Sequence, residues 1–426
     1  MKAIQAFENG RCGCETSDGA SPLISMDEAL RRLGEHARPI TGTETEALSL
    51  ATGRVLAEPV LAATMTPPFD SSAMDGYALD SAALWGEGPW RLPVTQRIPA
   101  GAESTGRVAG GTAAQIFTGA PVPLGADAVV PQEHVARDGN LVILDRRPQP
   151  GLNIRRAGGD MRPGQTVLGA GSRLGPREIA ACAAAGAARV HLIRPVRVAL
   201  LVTGNEVRPA GADRGAAEIW DINSPMLSSE LSRPDIHLID VIQGADDRTH
   251  LRRALADMAK AADLIVTTGG ISVGEEDHVK PVLGELEATV HFSGVAIKPG
   301  KPVSFGQIGT ASWLGLPGNP LSALVIWHIF GLPLLDILSG RQIAEQRRRH
   351  VVAGKPIFRK PGRCEVRPAR LMGFDSEGRE IVDFGNTVNS AHVADLPGTD
   401  GLIFIPAETD RLPEGALLEF QPFNRA

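Results

Sequence analysis

Leu264-Ile265-Val266-Thr267-Thr268-Gly269-Gly270-Ile271-Ser272-Val273-Gly274-Glu275-Glu276-Asp277 is the stretch that decides the fold of this chain. An apolar run ends in two threonines and a glycine pair, passes an acidic cluster and enters a helical pattern. That order predicts strand, loop, carboxylates, helix. Bare backbone N–H groups attract anions and nearby carboxylates hold hard cations, so phosphate and a divalent cation are expected to meet here.

Working outward, Val198-Ala199-Leu200-Leu201-Val202 is a continuous apolar run, as a parallel strand covered on both faces requires. His237-Leu238-Ile239-Asp240-Val241-Ile242 and Asp263-Leu264-Ile265-Val266-Thr267 are two more strands. A helix from about Asp247 lies between them, with Leu251, Ala254, Leu255 and Met258 on one face. Strands alternating with helices over residues 195–345 predict a central, open, mostly parallel α/β sheet, which binds ligands at the carboxyl ends of its strands. Four loops meet that description: Thr203-Gly204-Asn205-Glu206, Asp246-Asp247, Gly269 through Asp277 with Ser272 inside it, and Leu316-Pro317-Gly318-Asn319-Pro320. Glu206, Asp247 and Asp277 beside the Gly269-Gly270 loop point to a Mg2+–phosphate site. Each also has a plainer use: Asp247 suits a helix N-cap, Gly269-Gly270 suits a turn, and Glu206 and Asp277 suit solvated loops.

The flanking regions differ in texture. Residues 1 to about 20 read as a flexible lead-in, and Ser25-Met26-Asp27-Glu28 reads as a capping box opening a helix. From 61 to 160 short β-prone runs are broken by Gly and Pro, which predicts a β-rich lid domain. Gly175-Pro176-Arg177-Glu178 then starts a helix that stops at Ala185-Gly186. Residues 22–60 and 161–194 are therefore expected to form one discontinuous helical linker domain around the insertion. Short strands return over 346–426 and predict a C-terminal β-barrel. There is no internal repeat.

Three stretches outside the sheet carry candidate chemistry. Pro67-Pro68-Phe69-Asp70-Ser71-Ser72-Ala73-Met74-Asp75-Gly76-Tyr77-Ala78 places two aspartates, two serines and the only tyrosine in a segment without period, as binding loops often do. Thr118-Gly119-Ala120-Pro121 and Asn153-Ile154-Arg155-Arg156-Ala157-Gly158-Gly159-Asp160 add a hydroxyl and a guanidinium pair suited to an oxyanion. Lys298-Pro299-Gly300-Lys301-Pro302 holds two lysines in an extended presentation, suited to an anion or to solvent.

The 426 residues imply several domains, and a net charge of -6 with 22% charged residues gives no reason to expect nucleic acid or a membrane surface as partner. No uninterrupted apolar segment approaches the ~20 residues that span a bilayer, and the first residues lack the apolar core of a signal peptide, so a cytoplasmic location is expected. Cys182 and Cys364 are isolated, and Cys12 with Cys14 is a lone C-x-C, so no disulfide framework is expected.

Taken in order, PPFDSSAMDGYA, IFTGAPVP, NIRRAGGD, TGNEV, TTGGISVGEEDHVK, AIKPGKP and GLPGNPLSA closely resemble the bacterial molybdopterin molybdenumtransferases (MoeA) and the corresponding domain of gephyrin, from about residue 22 to the carboxyl terminus. The resemblance implies a four-domain subunit in a homodimer, with a cleft between the α/β domain of one copy and the insertion of the other. It implies that adenylylated molybdopterin and molybdate give molybdenum cofactor and AMP, with Mg2+ required. Proteins that donate the adenylate or receive the cofactor would be partners. By motif, Asp70 and Thr118 would line the cleft, with Arg155 and Asp160 bracing it. Glu206, Asp247 and Asp277 would surround Mg2+ and the pyrophosphate. Pro317 and Pro320 would shape the wall, Lys298 and Lys301 would supply positive charge, and Arg367 and Ser390 resemble further cleft positions. Asn205, Gly159 and Gly294 depart from the family pattern: many relatives carry aspartate at the first, an acidic residue is common at the second, and some relatives carry lysine at the third. A receptor-anchoring scaffold and the related adenylyltransferase are the competing readings. The adenylyltransferase lacks both the PPFDSSAMDGYA insertion and a terminal β-domain.

Overall fold

The computed structural model describes residues 23–102, 106–244, 247–271, 278–341, 348–386 and 393–423. Ser272, Asp277, Ser390, Asp246, Cys12 and Cys14 fall outside the described residues. Cys182 and Cys364 are buried and in no disulfide.

The apolar run at 198–202 becomes the strand Val196–Thr203 of a six-stranded sheet. It pairs in parallel with Ile236–Gly244 on one side and Leu264–Thr268 on the other, and Ala311–Leu316 adds in parallel beyond. Ser304–Ile308 and Thr289–Ser293 complete the sheet antiparallel. Side chains alternate across a strand, so Val198, Leu200 and Val202 enter one core while Ala199 and Leu201 enter another. That is why the run had to be apolar throughout. The helix Arg248–Ala261 covers the second core with Leu251, Leu255 and Met258.

The first core is filled by the apolar stretch Pro320–Leu338, 19 residues that are long and apolar enough to cross a membrane but 94% buried inside the protein. It is a core helix. Its middle, Trp327–Gly331, is a π-helical turn before Leu332–Leu338 resumes the α-helix. Pro333 has no N–H to give the preceding turn, and a widened turn accommodates that loss.

Asp263, one residue before the strand Leu264–Thr268, ties the bottom of the sheet. Its carboxylate accepts from both terminal nitrogens of Arg194 at 2.7 and 2.8 Å, and from the Arg197 N–H at 2.8 Å and guanidinium at 3.1 Å. Burial alone would raise its pKa, but the hydrogen bonds of Arg194 and then Arg197 outweigh it and lower the pKa to about 2. A depressed carboxyl contributes stability that is present above its unfolded pKa and lost as pH falls through the folded one. Asp263→Asn is therefore expected to cost about 2 kcal/mol at neutral pH. In urea denaturation, the gap between wild type and variant should close between about pH 4 and pH 2. A gap unchanged at low pH would remove the ion pairs as its cause.

The inserted region is a second six-stranded sheet, in the order Ala128–Pro131, Gly76–Leu79, Ala113–Ile116, Trp90–Ile98, Leu141–Leu144, Ala136–Asp138. Tyr77 and Leu79 face one apolar cluster and Ala78 the other. The segments flanking it share one core, in which Leu56 and Val60 pack with Cys182 and Leu192. This linker is mixed rather than helical, because Thr43–Ala47 pairs with Arg189–Ile193 and Val60–Leu61 with Thr166–Leu168 beside the helix Pro176–Ala184. The first helix, Met26–His36, belongs elsewhere: Met26, Ala29 and Leu33 join the core of the α/β sheet. Only half of its expected capping box forms. Ser25 Oγ accepts the Glu28 N–H at 3.1 Å, while the Glu28 carboxylate takes Arg31 and Arg32.

In the last region Cys364–Phe374 pairs with both Glu380–Phe384 and Gly401–Ile405. Arg349–Ala353 and Leu417–Pro422 close the ring. This is the expected barrel, which leaves no strand edge within the ring. Ile297–Lys298 of the α/β region attaches to it in parallel, Lys298 opposite Glu365.

Candidate active site

The carboxyl ends of three neighbouring parallel strands open on a cavity of about 830 Å³. Val196–Thr203 leads into Gly204 and Glu206, Leu264–Thr268 into Gly269 and Gly270, and Ala311–Leu316 into Pro317 and Pro320. Three of the four expected loops therefore converge, and Glu206, Gly269, Gly270, Pro317 and Pro320 all line the same space. Pro302 brings the end of the lysine loop to its rim.

Why glycine stands at 269 is steric. Its φ is +89°, and a Cβ there would sit 2.7 Å from Thr203 Oγ1 and 2.9 Å from the Thr203 carbonyl oxygen. Gly270, at φ +63°, presses on Val279 in the same way. The Gly269 N–H is not bare, as the sequence suggested: it donates to the Leu316 carbonyl at 3.2 Å. This glycine serves close packing between strand ends. The acidic half of the loop, with Ser272 and Asp277, lies outside the described residues.

A buried hydrogen-bond chain locks two of the loops together. Asn223 Nδ2 donates to Thr268 Oγ1 at 2.8 Å and to the Gly318 carbonyl at 2.7 Å, and Thr268 Oγ1 donates to the Pro317 carbonyl at 3.0 Å. Asn223 opens the helix Asn223–Glu230, directly after a small flap in which Val207–Arg208 pairs with Ile219–Trp220. The flap is held by the Arg208–Glu218 ion pair at 2.6 Å. Sequence reading missed both the flap and Asn223. Strands of two residues carry no period, and Asn223 acquires its partners only through the fold.

Asp247 caps the helix Arg248–Ala261, its Oδ1 accepting the His250 N–H at 2.7 Å, and it does not line the cavity. The plainer use weighed for it is thus the one its geometry displays. The Mg2+ that the resemblance implies takes one or two carboxylates and completes its shell from substrate phosphates and water. Exposed Glu206 in the cavity meets that minimum. Among the described residues, no three His, Cys, Asp or Glu side chains are grouped to hold a metal unaided.

Lys298 and Arg367 are brought together by a residue the sequence did not single out. Buried Glu365 receives Arg367 through Nε at 2.8 Å and a terminal nitrogen at 2.7 Å, and Lys298 Nζ at 3.4 Å. Arg359 Nε stands 3.6 Å from the same carboxylate. Three cations thus surround one carboxylate where the barrel joins the α/β region. Lys301 is exposed nearby in sequence.

Asp70, Thr118, Arg155 and Asp160 sit in or beside the inserted sheet, and none of them lines this cavity. Asp70 accepts the Ala157 N–H at 2.8 Å and Arg156 at 2.6 Å, which hold its carboxyl below the usual range. Arg156, not Arg155, is therefore its guanidinium partner. Arg155 pairs through its backbone with Ser71, and Asp160 is exposed with its N–H on the Thr66 carbonyl. Thr118 donates both its N–H and its hydroxyl to Asp75 Oδ1 at 2.7 Å, which lowers the Asp75 pKa. Asp75 and Arg156 lie inside motifs already quoted, so the signal for them was present.

Comparison with known proteins identifies the regions of the chain. Residues 24–186 match the MoeA N-terminal region (domain I and II), 199–337 a probable molybdopterin binding domain and 350–423 the MoeA C-terminal region (domain IV). The molybdopterin molybdenumtransferase of Haemophilus influenzae is 35% identical over 404 residues, covering 94% of this chain and 99% of that protein. Molybdopterin molybdenumtransferase 2 of Mycobacterium tuberculosis is 33% identical over 90% of this chain and 94% of its own length. A molybdopterin biosynthesis MoeA crystal structure from Pyrococcus horikoshii superimposes with a TM-score of 0.80 at 26% identity, covering 94% of this chain and 100% of that one. With all three regions in order and relatives matched over nearly their whole length, the chain belongs to the MoeA family of molybdopterin molybdenumtransferases, transferases of molybdenum cofactor biosynthesis.

Proposed function

We propose that this transferase inserts molybdate into adenylylated molybdopterin and releases AMP. One observation carries that reading: a cavity of about 830 Å³ at the carboxyl ends of three parallel strands, in the region matching a molybdopterin binding domain, with Glu206 at its wall. The Thr203–Gly269 and Thr268–Asn223–Gly318 contacts hold the wall rigid, so bound substrate meets fixed dipoles rather than reorganising ones. Lys298 and Arg367, which pair with Glu365 and do not line the cavity, and Lys301, next to its lining residue Pro302, would supply positive charge for a tetrahedral oxyanion. Glu206 would hold Mg2+ at the cavity, with Asp277 as a further carboxylate of the acidic set and Asp247 kept to capping its helix, and the ion would supply charge that neutralises the phosphoanhydride and makes AMP a better leaving group. No residue of the chain is needed as a covalent nucleophile, since the dithiolene sulfurs of the substrate take the metal.

A second copy belongs to the proposal. Asp70 and Thr118, braced by Arg156 and Asp75, would face the cavity of the partner in a homodimer, in a cytoplasmic enzyme that receives adenylate from one protein and passes cofactor to others. Purified chain supplied with adenylylated molybdopterin, molybdate and Mg2+ should release AMP. Glu206→Gln should release it at least about 100-fold more slowly, as removal of a preorganised electrostatic contact does. Mixing Glu206→Gln with Asp70→Asn should restore about a quarter of wild-type activity, because half of the symmetric dimers become mixed and each carries one intact cleft. Adenylate that binds yet yields no AMP on molybdate addition would overturn the transferase chemistry, and absence of complementation would overturn the shared cleft.

A further inference from the structure

Two side chains of the cavity wall, Asn223 and Trp220, carry groups that neither the wall's own hydrogen bonds nor the transfer step engages. Asn223 is only 6% exposed, and its Oδ1 has no hydrogen-bond partner among the described residues. The orientation of that amide is fixed by its neighbours: the Gly318 carbonyl can only accept, so the nitrogen must face it. Thr268 passes its own proton to the Pro317 carbonyl and accepts from Asn223, which fixes the same orientation again. The amide oxygen is therefore a buried acceptor, on a residue that lines the cavity, with no donor among the described residues. Three residues earlier, on the flap, stands Trp220, which also lines the cavity and is 51% exposed. The Arg214 guanidinium lies 5.1 Å from its ring centroid, and the indole N–H reaches the Ala212 carbonyl at 3.5 Å. An aromatic ring kept half in solvent at the mouth of a polar cavity offers a face for another ring.

We infer that Trp220 and Asn223 form a subsite for a flat nitrogen heterocycle, Trp220 stacking on its face and Asn223 Oδ1 accepting from its exocyclic N–H. This deepens the reading proposed above and rests on it. Both ends of the proposed substrate have that chemistry, the pterin and the adenine. A ring gripped at this wall would hold the phosphates between the Gly269 loop and Glu206. Trp220 acts as a positioning residue: it sets affinity and leaves the transfer step to the other groups.

Binding of 6-carboxypterin and of AMP, each titrated separately into the full chain, tests the inference. Trp220→Ala should weaken one of the two by about tenfold, as loss of one stacked ring does. Trp220→Phe should restore most of it, and the probe affected tells which end of the substrate sits there. Because Trp220 is exposed, the variant is expected to melt like wild type. Asn223 is tested from the ligand side, without cutting its two structural hydrogen bonds: dimethylating the exocyclic amine of the affected probe should weaken wild-type binding about tenfold. In turnover, Trp220→Ala should raise KM and leave kcat within a factor of about two. Unchanged affinity of both probes in Trp220→Ala, or an unchanged KM in a wild-type-like enzyme, overturns the subsite while leaving the transferase reading intact. A wild-type chain that binds neither probe and releases no AMP overturns both.

Discussion

Gly269→Ala is expected to lower kcat/KM for AMP release by about 100-fold or more while the protein still folds. The new Cβ would stand 2.7 Å from Thr203 Oγ1 and 2.9 Å from the Thr203 carbonyl oxygen, closer than real Cβ contacts come. Thr203 Oγ1 can rotate away, but the Thr203 carbonyl cannot yield, because Thr203 ends an interior strand and pairs there with Gly244. The backbone at φ +89° adds strain for any side chain. The glycine loop must therefore shift, and with it the middle wall of the cavity. Misplacement by about 1 Å is enough to cost two orders of magnitude in rate, whereas overpacking a single methyl costs only about 1–3 kcal/mol of stability. Gly318→Ala is the control. Its Cβ would meet nothing nearer than Gly269 Cα at 3.5 Å, an ordinary contact, so its effect should be small. Equal rates in the two variants, with both folded, would show that the close approach of Gly269 to Thr203 does not shape the site.

The contrast between those two glycines also shows what could be read before the structure. Gly269 and Gly318 look alike in the chain, each in a loop after an apolar strand. The runs at 198–202 and 264–267 placed the sheet because fully covered parallel strands need apolar residues on both faces, and periodicity records that need. Loop convergence followed, since the ends of neighbouring parallel strands are neighbours too. Contacts that depend on the tertiary fold leave no such record. Asn223 is one polar residue among many until Thr268 and Gly318 surround it, and Glu365 reads as an ordinary strand residue until Arg367, Lys298 and Arg359 close on it. Local signals mislead for a related reason. Ser25 and Glu28 fit a capping box, but Arg31 and Arg32 compete for the Glu28 carboxylate, and an ion pair with two guanidinium groups prevails over one backbone N–H. Met26–His36 joins the core of the α/β sheet rather than the linker, since an apolar helix face shows that it packs, not against what.

Glu365→Gln should destabilise the protein by about 3–5 kcal/mol, the largest effect on stability expected here. The side chains of Glu365, Arg367 and Arg359 are 2%, 3% and 5% exposed, so the charges cannot turn to solvent when their counter-ion is removed. An amide would keep the shape of the carboxylate and lose the charge that both guanidinium groups and Lys298 now share. Arg367 would retain one neutral partner, the Gly385 carbonyl at 2.9 Å, which cannot offset a buried positive charge. Asp138→Asn, which breaks an exposed pair with Arg91 whose side chains are 55% and 62% exposed, should cost less than about 1 kcal/mol by the same measurement. The Glu365 variant also tests the anion-holding role proposed for Lys298 and Arg367. With the carboxylate gone, the cluster has cations and no internal anion, and a ligand that binds the folded state alone raises its stability by mass action. Added molybdate should therefore raise the unfolding midpoint of Glu365→Gln more than that of wild type. An equal response in both proteins would mean that these cations serve the join between barrel and sheet and take no part in holding the oxyanion.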